Sequence, residues 1–343
     1  MLFLKKSTRF CLLLLFLTVS ARPLLAADRK VRLGYFPNIT HSQALIGVSR
    51  GDFQKELGEG VKLETKVFNA GPSVIEALFA GELDIAYIGP NPAINGYIKS
   101  EGQALRIIAG ATSGGAALVL RSDSGIASAK DFHGKKIASP QLGNTQDVAL
   151  RAWLKRNGYR LKEKGGDVEV IPLQNPDQLT LFLKKEIDGA WTVEPWVSRL
   201  VREGNGKVFL EESSLWPRGD YVTAHIIADT KFLKENPDLV ERFLRAHVAV
   251  TLWINSHEQE TRILVNNEIK YLTGKSLSDD VINDAFSRLR ITYDPVRESL
   301  FTSAQWAFEQ GFLGDKKPDL SGIYELTILN KILKENNLAY IGE

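Results

Sequence analysis

Residues 71–87 and 175–191 carry the same pattern. Gly71-Pro72-Ser73-Val74-Ile75-Glu76-Ala77-Leu78 leads into Glu82-Leu83-Asp84-Ile85-Ala86-Tyr87, and Asn175-Pro176-Asp177-Gln178-Leu179-Thr180-Leu181-Phe182 leads into Glu186-Ile187-Asp188-Gly189-Ala190-Trp191. Pro72 to Pro176 and Asp84 to Asp188 are both steps of 104 residues, and Thr40 returns as Thr145 at a step of 105. A solenoid needs three or more copies to bury a core, and only two are visible, so the pattern predicts two similar α/β units facing one another across a cleft. At 343 residues the chain also exceeds the size at which a single core stops growing.

The first residues are read apart from the fold. A basic start (Lys5, Lys6, Arg9), an apolar run over residues 10–19 and small residues at Ser20, Ala21, Ala26 and Ala27 predict a secretory signal over residues 1–27. The apolar run is too short to span a bilayer and no later segment is long enough, so no membrane anchor is expected. Four of the 43 basic residues lie in that segment, which leaves 39 Lys and Arg against 41 Asp and Glu in the exported chain. A net charge of −2 removes the electrostatic support for nucleic-acid binding. The only cysteine, Cys11, sits inside the signal, so the exported chain has no disulfide, thiol nucleophile, Cys-ligated metal or lipidated cysteine to offer.

Downstream, the spacing predicts a strand over 31–36, a helix over 43–48, a strand over 61–68, a helix over 71–80 and a buried strand over 83–88 that ends in the loop Gly89-Pro90-Asn91-Pro92. Strand, helix, strand at this spacing implies parallel pairing through right-handed crossovers. The same order recurs over 136–193. Thr112-Ser113-Gly114-Gly115 suits a chain crossing between lobes, and the strand over 221–228 suits the return. Asn236-Pro237 reads as the cap and first turn of a helix to about residue 254, with further helices behind it packing on the first lobe. The expected division is residues 28–113 and 222–343 in lobe 1, and 114–221 in lobe 2.

In open parallel α/β units ligands bind beyond the carboxyl ends of strands. That rule selects the loops 37–41, 70–73 and 89–92 in the first unit and 141–146, 174–177 and 193–196 in the second. Gly143-Asn144-Thr145-Gln146-Asp147 opens a helix whose free N–H groups could hold an anion without a lysine, and Gly71-Pro72-Ser73 offers a second such end. Asn144, Thr145 and Ser73 serve equally well as plain helix caps. Trp191, Glu194 and Trp196 follow the buried strand of the second unit; an indole there would wall a cleft, and Glu194 would either meet an amine on the ligand or pair with Arg199 or Arg151. His41, at a predicted helix start, is expected neutral because the positive helix end disfavours an imidazolium. The other histidines show no metal-ligand spacing, no nucleotide loop or hydrolase motif occurs, and Asp84 and Asp188 read as braces of their strands rather than a catalytic pair. No cofactor, no metal and no catalytic residue is expected.

At this point several segments resemble a known family. Leu33-Gly34-Tyr35-Phe36-Pro37-Asn38, Asn69-Ala70-Gly71-Pro72-Ser73, residues 81–89, Gly143-Asn144-Thr145-Gln146 and Val193-Glu194-Pro195-Trp196 look like the periplasmic solute-binding proteins of the aliphatic sulfonate, nitrate and taurine importers. The resemblance covers essentially all of the exported chain. It implies a type II periplasmic binding protein: two α/β lobes with parallel-rich sheets, joined by two hinge crossings, that close on a small anion-bearing solute and deliver it to the permease subunits of an ABC transporter. It implies a periplasmic monomer. It further implies ligand contacts from Phe36, Asn38, His41, Ser73, Asn91, Ser113 and Gly114, from Asn144, Thr145 and Gln146, and from Trp191 and Glu194 across the cleft. These loops hold no arginine or lysine where nitrate would call for one, so an organic sulfonate is the better guess, ahead of taurine or nitrate.

Two other readings follow from the same resemblance. A thiamine pyrimidine precursor would stack on Trp191 and on Tyr35 or Phe36. A related pyrimidine synthase would be an enzyme, but it uses a cysteine-rich segment that the exported chain does not have.

Overall fold

The computed structural model describes residues 29–342. The expected signal segment lies outside the described residues. Among the described residues eleven strands form two sheets. In chain order they are β1 (Arg29–Tyr35), β2 (Val61–Val67), β3 (Ile85–Ile88), β4 (Leu105–Gly114), β5 (Ala116–Arg121), β6 (Lys136–Ser139), β7 (Glu169–Pro172), β8 (Gly189–Val193), β9 (Gly206–Glu211), β10 (Val222–Asp229) and β11 (Leu289–Ile291). The first sheet runs β11-β4-β10-β3-β1-β2 and the second β7-β6-β8-β5-β9.

The repeat reappears strand for strand. β2-β1-β3 and β7-β6-β8 are both parallel triplets. Leu33 pairs with Ile85 in the first, and Ile137 with Gly189 in the second, so both partners move by 104 residues. The crossing strands β10 and β5 lie antiparallel against β3 and β8. All residues of β3 and of β8 are buried, as expected of central strands covered by helices on both faces.

Asp84 and Asp188 hold equivalent places. Asp84 accepts from the Arg32 N–H at 2.8 Å, and Asp188 from the Lys136 N–H at 2.9 Å, so each carboxylate ties the entry of its own strand to the neighbouring one. Both are braces, as the sequence indicated.

The helices differ from expectation at two places that matter for the cleft. Gly89-Pro90-Asn91-Pro92 is not a loop: a helix spans Pro90–Lys99 with Gly89 as its cap. Both prolines stand in the first turn, where a missing N–H breaks no helical hydrogen bond. Thr112, Ser113 and Gly114 are not a flexible tetrad either, because β4 runs through them and β11 pairs with all three. Asn236 does stand before the helix Pro237–Ser256, but its side chain accepts from Arg29 instead of capping.

Beyond β10 the chain is mostly helical and touches both lobes. The helix Arg297–Glu309 packs on Thr145–Arg156 of the second lobe. Beside it the Trp216 ring lies 4.6 Å from Trp306 and 5.4 Å from Tyr221, and the Arg156 guanidinium covers Trp306 at 4.3 Å. A second contact joins the helix Asp279–Ser287 to the helix Trp196–Arg202. Charges line that one: Arg202 with Asp284 at 2.6 Å, Arg288 with Glu194 at 3.2 Å and with Glu211 at 3.0 Å, and Lys275 with Glu203 at 3.4 Å.

Candidate functional site

Loops at the carboxyl ends of β1, β3, β6 and β8 meet between the lobes. The helix Thr145–Arg156 begins after Gly143, whose φ of +74° makes the turn into it, and after Asn144, whose side chain accepts from the Thr145 N–H at 2.9 Å. Opposite stands the start of the helix Pro90–Lys99. The Asn91 N–H points at Thr145 Oγ1, 3.4 Å away, so two positively polarised helix ends from different lobes meet through one hydroxyl. Gly89 makes the approach possible: a Cβ there would fall 2.6 Å from Thr145 Oγ1. Asp147, the acid in the first turn of Thr145–Arg156, is turned away and held by Ser139 Oγ, the Gly143 N–H and Arg151.

A small inner chamber of about 20 Å³ lies at this junction, and Asn144, Thr145, Gln146, Phe36 and His41 line it together with Asn69, Asn175 and Thr223. Among the described residues that line it there is no lysine, arginine, aspartate or glutamate. His41 is buried and stacks on Phe36 at 4.4 Å, and the Phe36 N–H donates to its Nδ1 at 3.2 Å. Burial holds its pKa down to about 3. The ring is therefore neutral with its proton on Nε2, a donor available to the chamber; the cause is desolvation, not the helix end invoked from sequence. Asn175 accepts from Thr192 at 3.1 Å through its Oδ1, which leaves its NH₂ as a second donor.

An outer chamber of about 280 Å³ continues from the inner one, and Asn38, Asn69 and Asn175 line both. Its walls are Trp196, Ile269, Leu277 and three prolines, with the Arg199 guanidinium laid over the Trp196 ring at 4.6 Å and Lys275 exposed to solvent. The Trp196 Nε1–H donates to Asn38 Oδ1 at 3.1 Å, and Asn69 Nδ2 donates to Gln174 Oε1 at 3.3 Å, so both contacts bridge the lobes.

The structure thus brings Phe36, Asn38, His41, Asn144, Thr145 and Gln146 together in the cleft. It places the other expected residues elsewhere. Trp191 is fully buried in the second lobe and donates to Glu212 at 2.7 Å, so it cannot wall a ligand. Glu194 is sealed too: it accepts from the Ser198 N–H at 3.1 Å and Ser198 Oγ at 2.9 Å, and its cation is Arg288. The expected partners are engaged otherwise, Arg199 with Glu203 and Arg151 with Asp147. Burial raises the Glu194 pKa to about 7. Ser73 lines neither chamber. Asn91 reaches the junction only through its N–H, because its side chain is bonded to Ser303. Ser113 and Gly114 belong to the crossing, where Thr223 Oγ1 bonds the Gly114 carbonyl.

Asn69, Pro140 and Thr223 line the inner chamber without having been named as ligand contacts from sequence. Asn69 directly precedes a selected loop, so the strand-end rule extended by one residue reaches it. Ile269 and Leu277 come from the helical tail, where an apolar period looks the same whether it covers a core or a cleft. Among the described residues no group of three or more His, Cys, Asp or Glu could hold a metal ion, and no helix is long and apolar enough to cross a membrane.

Known proteins share this fold. The chain is 27% identical over 315 residues to a candidate aliphatic sulfonates-binding protein of Bacillus subtilis (strain 168), spanning 90% of each chain. It is 23% identical over 301 residues to the taurine-binding periplasmic protein of Escherichia coli (strain K12), spanning 85% of this chain and 89% of that one. Among solved structures, the alkanesulfonate-binding protein of Xanthomonas axonopodis bound to MOPS superposes with a TM-score of 0.71 at 18% identity, over 88% of this chain and 100% of that one. A desulfurization enzyme has the same fold, with a TM-score of 0.64 at 17% identity, over 90% of this chain and 99% of that one. The family model of NMT1-like proteins matches residues 26–266, and the chain belongs to the NMT1-like family.

Proposed function

We propose that this protein is the extracytoplasmic solute-binding component of an ABC importer, and that it captures a small solute bearing an oxoanion group, an organic sulfonate foremost, between its lobes. One observation carries the reading: two helix N-termini from opposite lobes converge on Thr145 in a chamber whose lining has no acidic residue. Backbone N–H groups at such ends stabilise an anion without a counter-ion, and closing the lobes around it adds donors from both sides. His41 Nε2–H and the Asn175 amide supply further neutral donors. The relatives named for sulfonates and taurine support the ligand class, and their roles as binding proteins support capture over turnover. Nothing favours a stacked pyrimidine, since Trp191 is sealed in the second lobe.

The test is a thermal-shift and calorimetry panel of alkanesulfonates, taurine, nitrate and sulfate. At a hundredfold excess over Kd a true ligand adds about 2.7 kcal/mol to stability. Thr145→Val, which keeps the shape and removes the hydroxyl, is expected to weaken binding of that ligand by tenfold or more. Detectable turnover of a panel compound, or a panel in which no compound shifts the transition, defeats the proposal.

A further inference from the structure

We infer that the outer chamber is a charge filter, which admits a solute whose tail is uncharged and apolar and turns away one whose tail ends in an amine. The inference rests on the sulfonate-type reading above and adds which members of that class fit. The inner chamber, about 20 Å³, must widen to take even an oxoanion head, so an organic tail lies in the outer chamber. There it meets Trp196, Ile269, Leu277 and Pro176. Apolar walls favour a tail of carbon and penalise an ammonium, which loses hydration without gaining a partner.

The charges at the rim act in the same direction. Among the described residues, Arg199 and Lys275 are the only ionic ones lining the outer chamber, and both are cations. Glu203 sits between them, 2.7 Å from Arg199 and 3.4 Å from Lys275, so the three together leave one positive charge. Glu194 is the acid that the sequence offered to a ligand amine, and it is sealed behind Ser198 and Arg288. A tail ammonium would therefore meet a net like charge, and the one carboxylate beside it, Glu203, is already held by both cations.

Propane-1-sulfonate and 3-aminopropane-1-sulfonate share a head and a carbon chain and differ in the terminal ammonium. Calorimetry on the full exported chain at about 20 mM salt is expected to show the amino compound bound about tenfold more weakly or worse. At 0.5 M salt, where the screening length is only a few ångströms, that ratio shrinks. Lys275 is mostly exposed, so Lys275→Gln keeps the fold, and it narrows the ratio at low salt. An amino compound that binds as tightly as its partner, or a ratio indifferent to both salt and Lys275→Gln, overturns the filter and leaves sulfonate capture standing. Binding of neither compound at millimolar concentration overturns the capture reading itself, and the filter with it.

Discussion

The lobes touch along two edges of the cleft, and the edges use different physics. One is aromatic: Trp216, stacked on Tyr221, meets the tilted ring of Trp306 across the lobes, all three nearly inaccessible to water. The other is ionic: Arg202, Arg288 and Lys275 reach carboxylates across the gap. Parting the first exposes indole surface, at roughly 25 cal/mol for every Å². Parting the exposed pairs of the second, Arg202 with Asp284 and Lys275 with Glu203, releases side chains that water solvates well, and such a pair contributes only about 0–1 kcal/mol. The aromatic edge therefore resists separation far more than the ionic one, and the contrast can be broken edge by edge.

The largest effect is expected at Trp306. Trp306→Ala should cost about 3–5 kcal/mol of unfolding free energy, because it leaves Trp216 and the Arg156 stem facing a cavity. A loss below about 1 kcal/mol in urea titration would show that the rings only adjoin one another.

Arg288 comes next, since it sits on the ionic edge yet serves a carboxyl that is fully buried. Arg288→Ala leaves Glu194 with only the Ser198 donors. Removing one partner of a buried pair can cost about 3–5 kcal/mol, but a carboxyl already raised to about 7 takes up a proton instead, so about 2 kcal/mol is expected at pH 8. The sign follows from linkage. The folded chain holds the Glu194 proton more tightly than the unfolded chain, so this group's contribution to stability is largest below the ordinary carboxyl range, near 4.5, and is lost as pH rises through about 7. Without the cation the upper end of that window moves further up. Stability measured at pH 5, 6, 7 and 8 should therefore show an Arg288→Ala deficit that grows with pH, and Glu194→Gln in the same background should remove the growth. A deficit of equal size at pH 5 and pH 8 would contradict the pairing.

The smallest effect belongs to Arg202. It is 44% exposed beside Asp284, and Arg202→Ala should cost about 0–1 kcal/mol at low salt and nothing measurable at 0.5 M. A larger, salt-insensitive loss would move this pair to the same standing as the aromatic edge.

How much of this was legible depends on the range over which each residue acts. The duplicated pattern exposed the two parallel triplets because Asp84 and Asp188 bond within their own units, so local repetition and local structure coincide. The loops at strand ends were found by the same logic, and with them Thr145, Asn144 and His41. Glu194 and Trp191 were misjudged because their partners, Arg288 and Glu212, lie 94 and 21 residues away, and no spacing in the chain announces either contact. The helix Pro90–Lys99 was hidden by its own prolines, which punctuate a loop and a first turn alike. The tail was correctly seen as helical, but its share in the outer chamber depends on three-dimensional packing that a hydrophobic period does not encode.

Gly89 sets the width to which the jaws can shut. The clearance it leaves for Thr145 is one missing carbon, so an alanine at this position works as a wedge: it holds the halves apart by about the thickness of a methyl group. For anyone building a sensor on this scaffold, position 89 is a set-screw: one added methyl displaces the Thr145 hydroxyl and, with it, the Asn91 N–H contact across the gap.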